Sequence, residues 1–311
     1  MLFREAATEW IAEKKNFIKE STCALYKYEL ERYIFPVIGA CKIDSVTEAM
    51  IQAAVLQWQQ VKNRSGKKLK QSTVQNLVVL TKQILKYAMK RNYIFPIKMD
   101  IHYVNDSDVE KKNKVFDDAE LTKLISAARL ELTPETLGIL LCINSGLRIG
   151  EVCALVWSDF DLEQGILHIS KTLQRIYTTS EVTGKKTQIC ISLPKTRSSI
   201  RDIPITRQLC EAIRKVSDGD PEHYLLTNSE HYLEPRIYRK HYELFLQKNG
   251  IKKYNFHCLR HTFATRCIAH GLNYKVVSEL LGHSTINITL NMYVHPQMSE
   301  KRKCIETIYM E

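Results

Sequence analysis

Between Ile101 and Lys114 the chain loses every hydrophobic period: the run NDSDVEKKNK is polar, charged and repeats at neither helical nor strand spacing. A stretch with no apolar face cannot join a core, so the segments before and after it must each bury their own. At 311 residues the chain is long enough for two such bodies. The break predicts a first domain over 1–103, a linker over 104–114 and a second domain over 115–311, with a tail from about residue 297.

The first hundred residues read as helices. Phe3 to Phe17 carries apolar residues at helical spacing, and Ser21 or Thr22 can cap a helix through Tyr33 that stops before Pro36. Ser45 or Thr47 caps a third helix to about Val61, and Ser72 a long apolar-striped one, Thr73 to Lys90, closed by Asn92 and Pro96. These make a small all-α domain, for which a generic bundle is an equally good reading. In the second part Asp117 or Asp118 caps a helix, and another runs from Pro134 to Ser145 and ends at Gly146. Between Gly165 and Ile205 the period shifts to two in ILHIS, TQICISL and SSIRDIPI, which predicts one small antiparallel sheet. Helices follow over Thr206–Val216, Pro235–Asn249 and, as short pieces, from His257 onward. The expected fold class is mainly α with a small antiparallel β-sheet: a helical domain followed by an α+β domain.

Charge points to a partner. The chain carries 45 Lys+Arg against 34 Asp+Glu, a formal +11, which favours a polyanion such as nucleic acid. Residues 1–114 hold 20 basic against 12 acidic side chains, so the smaller part is the more basic. Its cluster Lys62, Arg64, Lys67, Lys68 and Lys70, around Ser65 and Gly66, reads as an exposed loop able to meet phosphates. The nine cysteines form no CxxC pair, so reduced thiols are expected rather than disulfides or a zinc site. The longest apolar run, Leu137 to Ile143, is too short to span a bilayer, and Glu5 and Glu9 spoil a signal peptide. A cytoplasmic protein without membrane contact is expected.

Five stretches of the second part carry groups that suit chemistry on a phosphodiester. They are GLRIGE with Arg148, LPKTRSSIRDIPI with Lys195, FHCLRHT with His257 and Arg260, LLGHS with His283, and NMYVH with Tyr293. Arginines can clamp non-bridging oxygens, histidines and a lysine can move protons, and a tyrosine can attack phosphorus. Taken singly, each has a bland reading: a surface charge, a helix-face pair, a boundary tyrosine. Glu151 lies one turn from Arg148 and can hold it in place, Asp159 is a second support for arginines, and His261 reads as structural. There is no HExxH, no paired carboxylate cluster and no GxxxxGK loop, so no metal and no cofactor are expected.

In order and spacing these stretches resemble the tyrosine recombinase, or phage integrase, family, strongly over about 115–295 and in general character before that. The ten positions from His283 to Tyr293 are similar to phage and transposon integrases. The resemblance implies a core-DNA-binding first domain and a catalytic second domain that acts on double-stranded attachment sites. Tyr293 would form a 3′-phosphotyrosyl bond, Arg148 and Arg260 would hold the scissile phosphate, and His257 would exchange a proton at the nucleophile. His283 would add a phosphate hydrogen bond, and Lys195 would protonate the leaving 5′ oxygen. It implies integration or excision of a mobile element by a homotetramer on paired sites, with tail residues Met298, Ile305, Ile308 and Tyr309 docking on a neighbour. A DNA-bending or directionality factor is neither required nor excluded. Many such integrases begin with an arm-binding domain that does not precede the helices here, so a simpler or a shortened member is expected. Two other readings stand beside this one: a type IB topoisomerase-like enzyme that relaxes DNA, and a DNA-binding regulator without catalysis.

Overall fold

The computed structural model describes residues 1–62, 66–97, 99–103, 115–177, 187–193, 197–293 and 298. The chain divides into two compact units, one of 1–110 with 176–188 and the other of 111–175 with 189–311.

In the first unit α1 (Phe3–Lys14), α2 (Glu20–Glu29), α3 (Phe35–Ile38), α4 (Glu48–Gln60) and α5 (Gln71–Lys90) enclose Phe3, Trp10, Ile34, Trp58, Leu77 and Ile84. Each large apolar side chain fully buried in this way contributes about 1.5–3 kcal/mol. Thr47 caps α4 as its position suggests, accepting the Met50 N–H.

Several boundaries differ from the sequence reading, each for a local reason. α1 stops at Lys14, because Phe17 is exposed and gives the helix no buried face to follow. α2 starts after Lys19, whose carbonyl accepts from both Thr22 and Cys23; Ser21 does not cap, and its hydroxyl is buried without a partner among the described residues. The helix does not stop before Pro36. A π-helical segment, Leu30–Ile34, lets Phe35 N–H reach the Leu30 carbonyl five residues back, so the chain passes through Pro36 and turns only at Gly39. α5 starts at Gln71 rather than beyond a Ser72 cap, because Leu69 N–H bonds to the Val61 carbonyl at 3.0 Å and fixes the entry two residues earlier. Residues 176–188 contribute Tyr177, stacked on Tyr28 with centroids 4.1 Å apart, and Gln188, which donates to Glu20 at 2.9 Å.

In the second unit Asp117 caps α6 (Asp118–Leu130) through the Glu120 N–H at 2.8 Å. α7 (Pro134–Ser145) is apolar on all sides and is the central helix, as a helix without a polar face must be. α8 (Ile149–Val152) follows, then β1 (Phe160–Asp161), β2 (Ile166–Ile169), β3 (Thr172–Tyr177) and β4 (Thr187–Ser192), of which residues 176–177 and 187–188 belong to the first unit, and β5 (Arg201–Pro204). The helices α9 (Arg207–Val216), α10 (Pro235–Lys248), α11 (His257–Ala269), α12 (Tyr274–Leu281) and α13 (Ile286–Tyr293) complete the described chain. Leu141, Trp157, Tyr238, Tyr242 and Phe256 lie in the core around α7.

The strands form two sheets, not the single one expected. β1 and β5 occupy both edges of β2, with Ile166 opposite Pro204 and Ile169 opposite Arg201, so β3 and β4 are left to pair with each other. β4 and β5, consecutive in the chain, therefore belong to different sheets. Among the described residues no helix is long and apolar enough to cross a membrane.

Candidate active site

The last carbonyls of a helix have no donor within the helix, and at the end of α12 three consecutive ones meet guanidinium groups. Leu280 O accepts from Arg201 Nε at 2.7 Å, Leu281 O from Arg260 Nη2 at 2.7 Å and Gly282 O from Arg148 Nη2 at 3.1 Å. Arg260 Nη1 also donates to Gly146 O, 2.8 Å away, at the end of α7. One helix terminus thus gathers arginines from the start of α8, from β5 and from α11, and its partial negative charge suits them.

Gly282 makes this possible by turning left-handed, at φ 63°. A Cβ there would also come within 3.1 Å of Arg201 Nη1 and the Ser198 carbonyl. Gly282→Ala is therefore expected to lower stability by about 1–2 kcal/mol from backbone strain alone, read as a lower denaturant midpoint with an unchanged slope. An unchanged midpoint would show that this turn does not need glycine.

Glu151 sets the electrostatics. It is 2% exposed and takes Arg148 N–H at 2.9 Å and Nη1 at 2.7 Å, together with Arg201 Nη2 at 3.0 Å and Nη1 at 3.2 Å. Burial pushes its carboxyl up, but Arg201 and then Arg148 outweigh that and hold it below the usual carboxylate range. Arg260, also 2% exposed, donates to two carbonyls and to no carboxylate among the described residues. Burial and then Arg148 work against its charge, yet a delocalised guanidinium stays protonated. Three cations around one buried carboxylate leave an excess of positive charge that an anion with several oxygens would neutralise.

The imidazoles beside this cluster are neutral at pH 7. His283, placed directly after Gly282, is lowered to about 4 by burial and then by Arg260, and its Nδ1 meets Thr289 Oγ1 at 2.8 Å. His257 is lowered to about 4 by desolvation, then by His261, Arg260 and Arg148. Tyr293 is the last residue of α13, half-buried against the small cluster of Ala264, Val277 and Leu281. Burial raises its phenol pKa while Arg260 and Arg148 oppose the rise.

The structure thus brings Arg148, Glu151, Arg260 and His283 together, with His257 one turn before Arg260 on α11, and Tyr293 within the electrostatic reach of both arginines. Lys195 and Arg64 lie outside the described residues, as do the 104–114 linker and, apart from exposed Met298, the tail from 297. Lys67, Lys68 and Lys70 are exposed, and Lys68 pairs with Lys62 in an isolated antiparallel bridge. Among the described residues Asp159 supports no arginine: it accepts the Val156 N–H at 2.9 Å and lies 3.6 Å from Lys171.

Two residues were missed. Arg201 sits in the quoted SSIRDIPI stretch, where the strand pattern hid a buried guanidinium. His261, read above as structural, has its Nδ1 2.8 Å from the Tyr293 hydroxyl, a contact whose signal was its spacing of one helical turn from His257. No group of metal-ligating side chains occurs among the described residues.

Residues 114–300 match the phage integrase family, and residues 3–95 its central domain. The chain belongs to the phage integrase family. It is 27% identical over 257 residues to a tyrosine recombinase XerC-like protein of Caldanaerobacter subterraneus, covering 76% of this chain and 65% of that protein. To the transposase of transposon Tn916 from Enterococcus faecalis it is 28% identical over 224 residues, 64% of this chain and 52% of that one. The chain thus spans between half and two thirds of the length of these curated relatives. The fold is shared with the Tn1549 transposon integrase solved in complex with transposon right end DNA, with a TM-score of 0.80, 24% identity and 99% of each chain covered. It is shared more distantly with a lambda integrase dimer bound to a COC′ core site, with a TM-score of 0.65, 15% identity and 94% and 95% covered. In this phage integrase family chain, the arginine cluster, His283 and Tyr293 all fall within the matched residues 114–300.

Proposed function

We propose that this chain is a site-specific DNA recombinase that cleaves and rejoins DNA through a 3′-phosphotyrosyl intermediate, integrating or excising a mobile element. The observation that carries this is the cation-rich pocket at the end of α12, with a tyrosine hydroxyl beside it. In this reading Arg148 and Arg260 bind the non-bridging oxygens of the scissile phosphate, and Arg201 and Glu151 hold Arg148 in register. The clamp becomes stronger as charge builds on the pentavalent transition state. His283, neutral, donates a further hydrogen bond.

Tyr293 oxygen attacks phosphorus, its proton leaves, and the bond to the 5′ oxygen breaks. The ester keeps the bond energy, so a second 5′-hydroxyl can reverse the step with a new partner and no ATP. Lys195 protonates the leaving oxygen. A 5′-bridging phosphorothiolate, whose sulfur leaves without a proton, is then expected to restore most of the cleavage lost in Lys195→Ala. Equal losses on both substrates would make the lysine a phosphate contact only.

The helical unit, residues 1–103, serves as the core-DNA-binding domain, with Lys67, Lys68, Lys70 and Arg64 on phosphates. The relatives named as a transposase and a tyrosine recombinase, and the DNA-bound structures of the same fold, support double-stranded DNA as the partner. A homotetramer on paired sites, linked through the tail from 297, is the assembly this reading requires.

The test is recombination on the paired ends of the element that carries the gene. Reciprocal products from a tetrameric synapse support the reading. Relaxation of supercoils without a preferred site would indicate a topoisomerase, and site binding without cleavage a regulator.

A further inference from the structure

The residue that touches the nucleophile is His261. Its Nδ1 lies 2.8 Å from the Tyr293 hydroxyl, with ring centroids 5.5 Å apart, and α11 holds it 8% exposed one turn after His257. His257, by contrast, meets His261 edge to face at 4.5 Å, and no contact joins it to the Tyr293 hydroxyl among the described residues. The charged and titratable groups around His261 are His257 and Arg260 on its own helix and Tyr293 on α13. Burial and then Arg260 lower the His261 pKa from its ordinary value, so the ring is neutral at pH 7. A neutral imidazole in this position has two states. With Nε2 protonated, Nδ1 is a bare acceptor facing the phenol; with Nδ1 protonated, it donates to the phenol oxygen and leaves the phenol proton in place.

We propose that His261 accepts the phenol proton of Tyr293 at Nδ1 as the strand is cleaved, and returns it when the strand is rejoined. This rests on the recombinase reading above. The O–H bond of Tyr293 breaks, its proton passes to Nδ1 and makes an imidazolium, and the phenolate oxygen forms the bond to phosphorus. The bond to the 5′ oxygen breaks, and that oxygen takes its proton separately. On rejoining, the incoming 5′-hydroxyl attacks as its proton returns to the group that protonated the leaving oxygen, the phenolate leaves, and the imidazolium gives its proton back, so no proton is gained or lost by the His261–Tyr293 pair over a full cycle. Burial disfavours the phenolate and Arg260 and Arg148 only oppose that, so a base at this atom favours attack. The same burial keeps His261 deprotonated until attack begins.

The experiment is single-turnover cleavage of a nicked suicide half-site by wild type and His261→Gln, each with tyrosine or trifluorotyrosine at position 293. The fluorinated phenol is already largely ionised near neutral pH and needs no base. His261→Gln should lose about 100-fold or more with tyrosine. With trifluorotyrosine the loss should shrink to less than about tenfold. His261→Asn serves as the second variant, and equal half-site binding and equal melting temperatures establish that each is folded. The wild-type rate should also fall on acidification through the lowered His261 pKa, a limb that the Gln variant lacks.

The same fold-loss with both phenols would overturn the proposal and leave His261 as a positioning residue. A wild-type rate in His261→Gln would overturn it as well. If the wild type itself forms no covalent adduct, the recombinase reading fails, and the two failures are told apart in the same gel.

Discussion

Tyr293→Phe is expected to bind DNA half-sites as the wild type does and to form no covalent protein–DNA adduct. The substitution removes one oxygen from a ring whose apolar part packs against the cluster of Ala264, Val277 and Leu281, so the packing survives while the nucleophile is gone. It also leaves His261 without its 2.8 Å partner, a cost confined to one part-buried hydrogen bond. A denaturing gel of a suicide substrate checks this. An adduct that persisted in the variant would place the nucleophile elsewhere, and loss of binding would show that the ring does more than present its hydroxyl.

Arg148→Lys is expected to reduce cleavage by about 10²–10³-fold while changing half-site affinity little. The guanidinium bridges Glu151 on one side and the Gly282 carbonyl on the other, at 2.7 Å and 3.1 Å, and so presents its remaining face in a fixed plane. An ammonium keeps the charge but cannot span both acceptors and also offer a planar fork to a phosphate. Affinity comes mainly from other phosphate contacts, so single-turnover cleavage and binding should separate. Cleavage within a few-fold of wild type would show that charge alone suffices at this position.

Much of this site could be read from the chain because its pieces are short and local. Gly146 and Gly282 mark the ends of α7 and α12, where a left-handed residue closes a helix, and Arg148 and His283 follow within two positions of these stops. Glu151 lies one turn from Arg148, within the reach of a local rule. The contacts that assemble the cluster were not legible. Leu280, Leu281 and Gly282 act through backbone carbonyls, which leave no trace in side-chain identity, and their partners come from 79, 21 and 134 residues away. Arg201 was hidden because a strand pattern predicts which face a residue takes, not that a buried carboxylate waits there. His261 was set aside because helical spacing groups it with His257 without showing that α13 returns to meet it. In the helical unit, the passage through Pro36 depends on a π-turn whose cause lies in packing rather than in any local signal.

The proposed reaction turns on one bond, from the Tyr293 oxygen to a 3′ phosphate. Wild-type protein trapped on a half-site nicked near the cleavage position should, after proteolysis and nuclease digestion, yield one modified peptide. Mass spectrometry of that peptide should place the nucleotide on the oxygen of Tyr293, joined through a 3′ phosphate with a free 5′-hydroxyl on the released strand. A nucleotide on any other residue, or one joined through its 5′ end, would contradict the account.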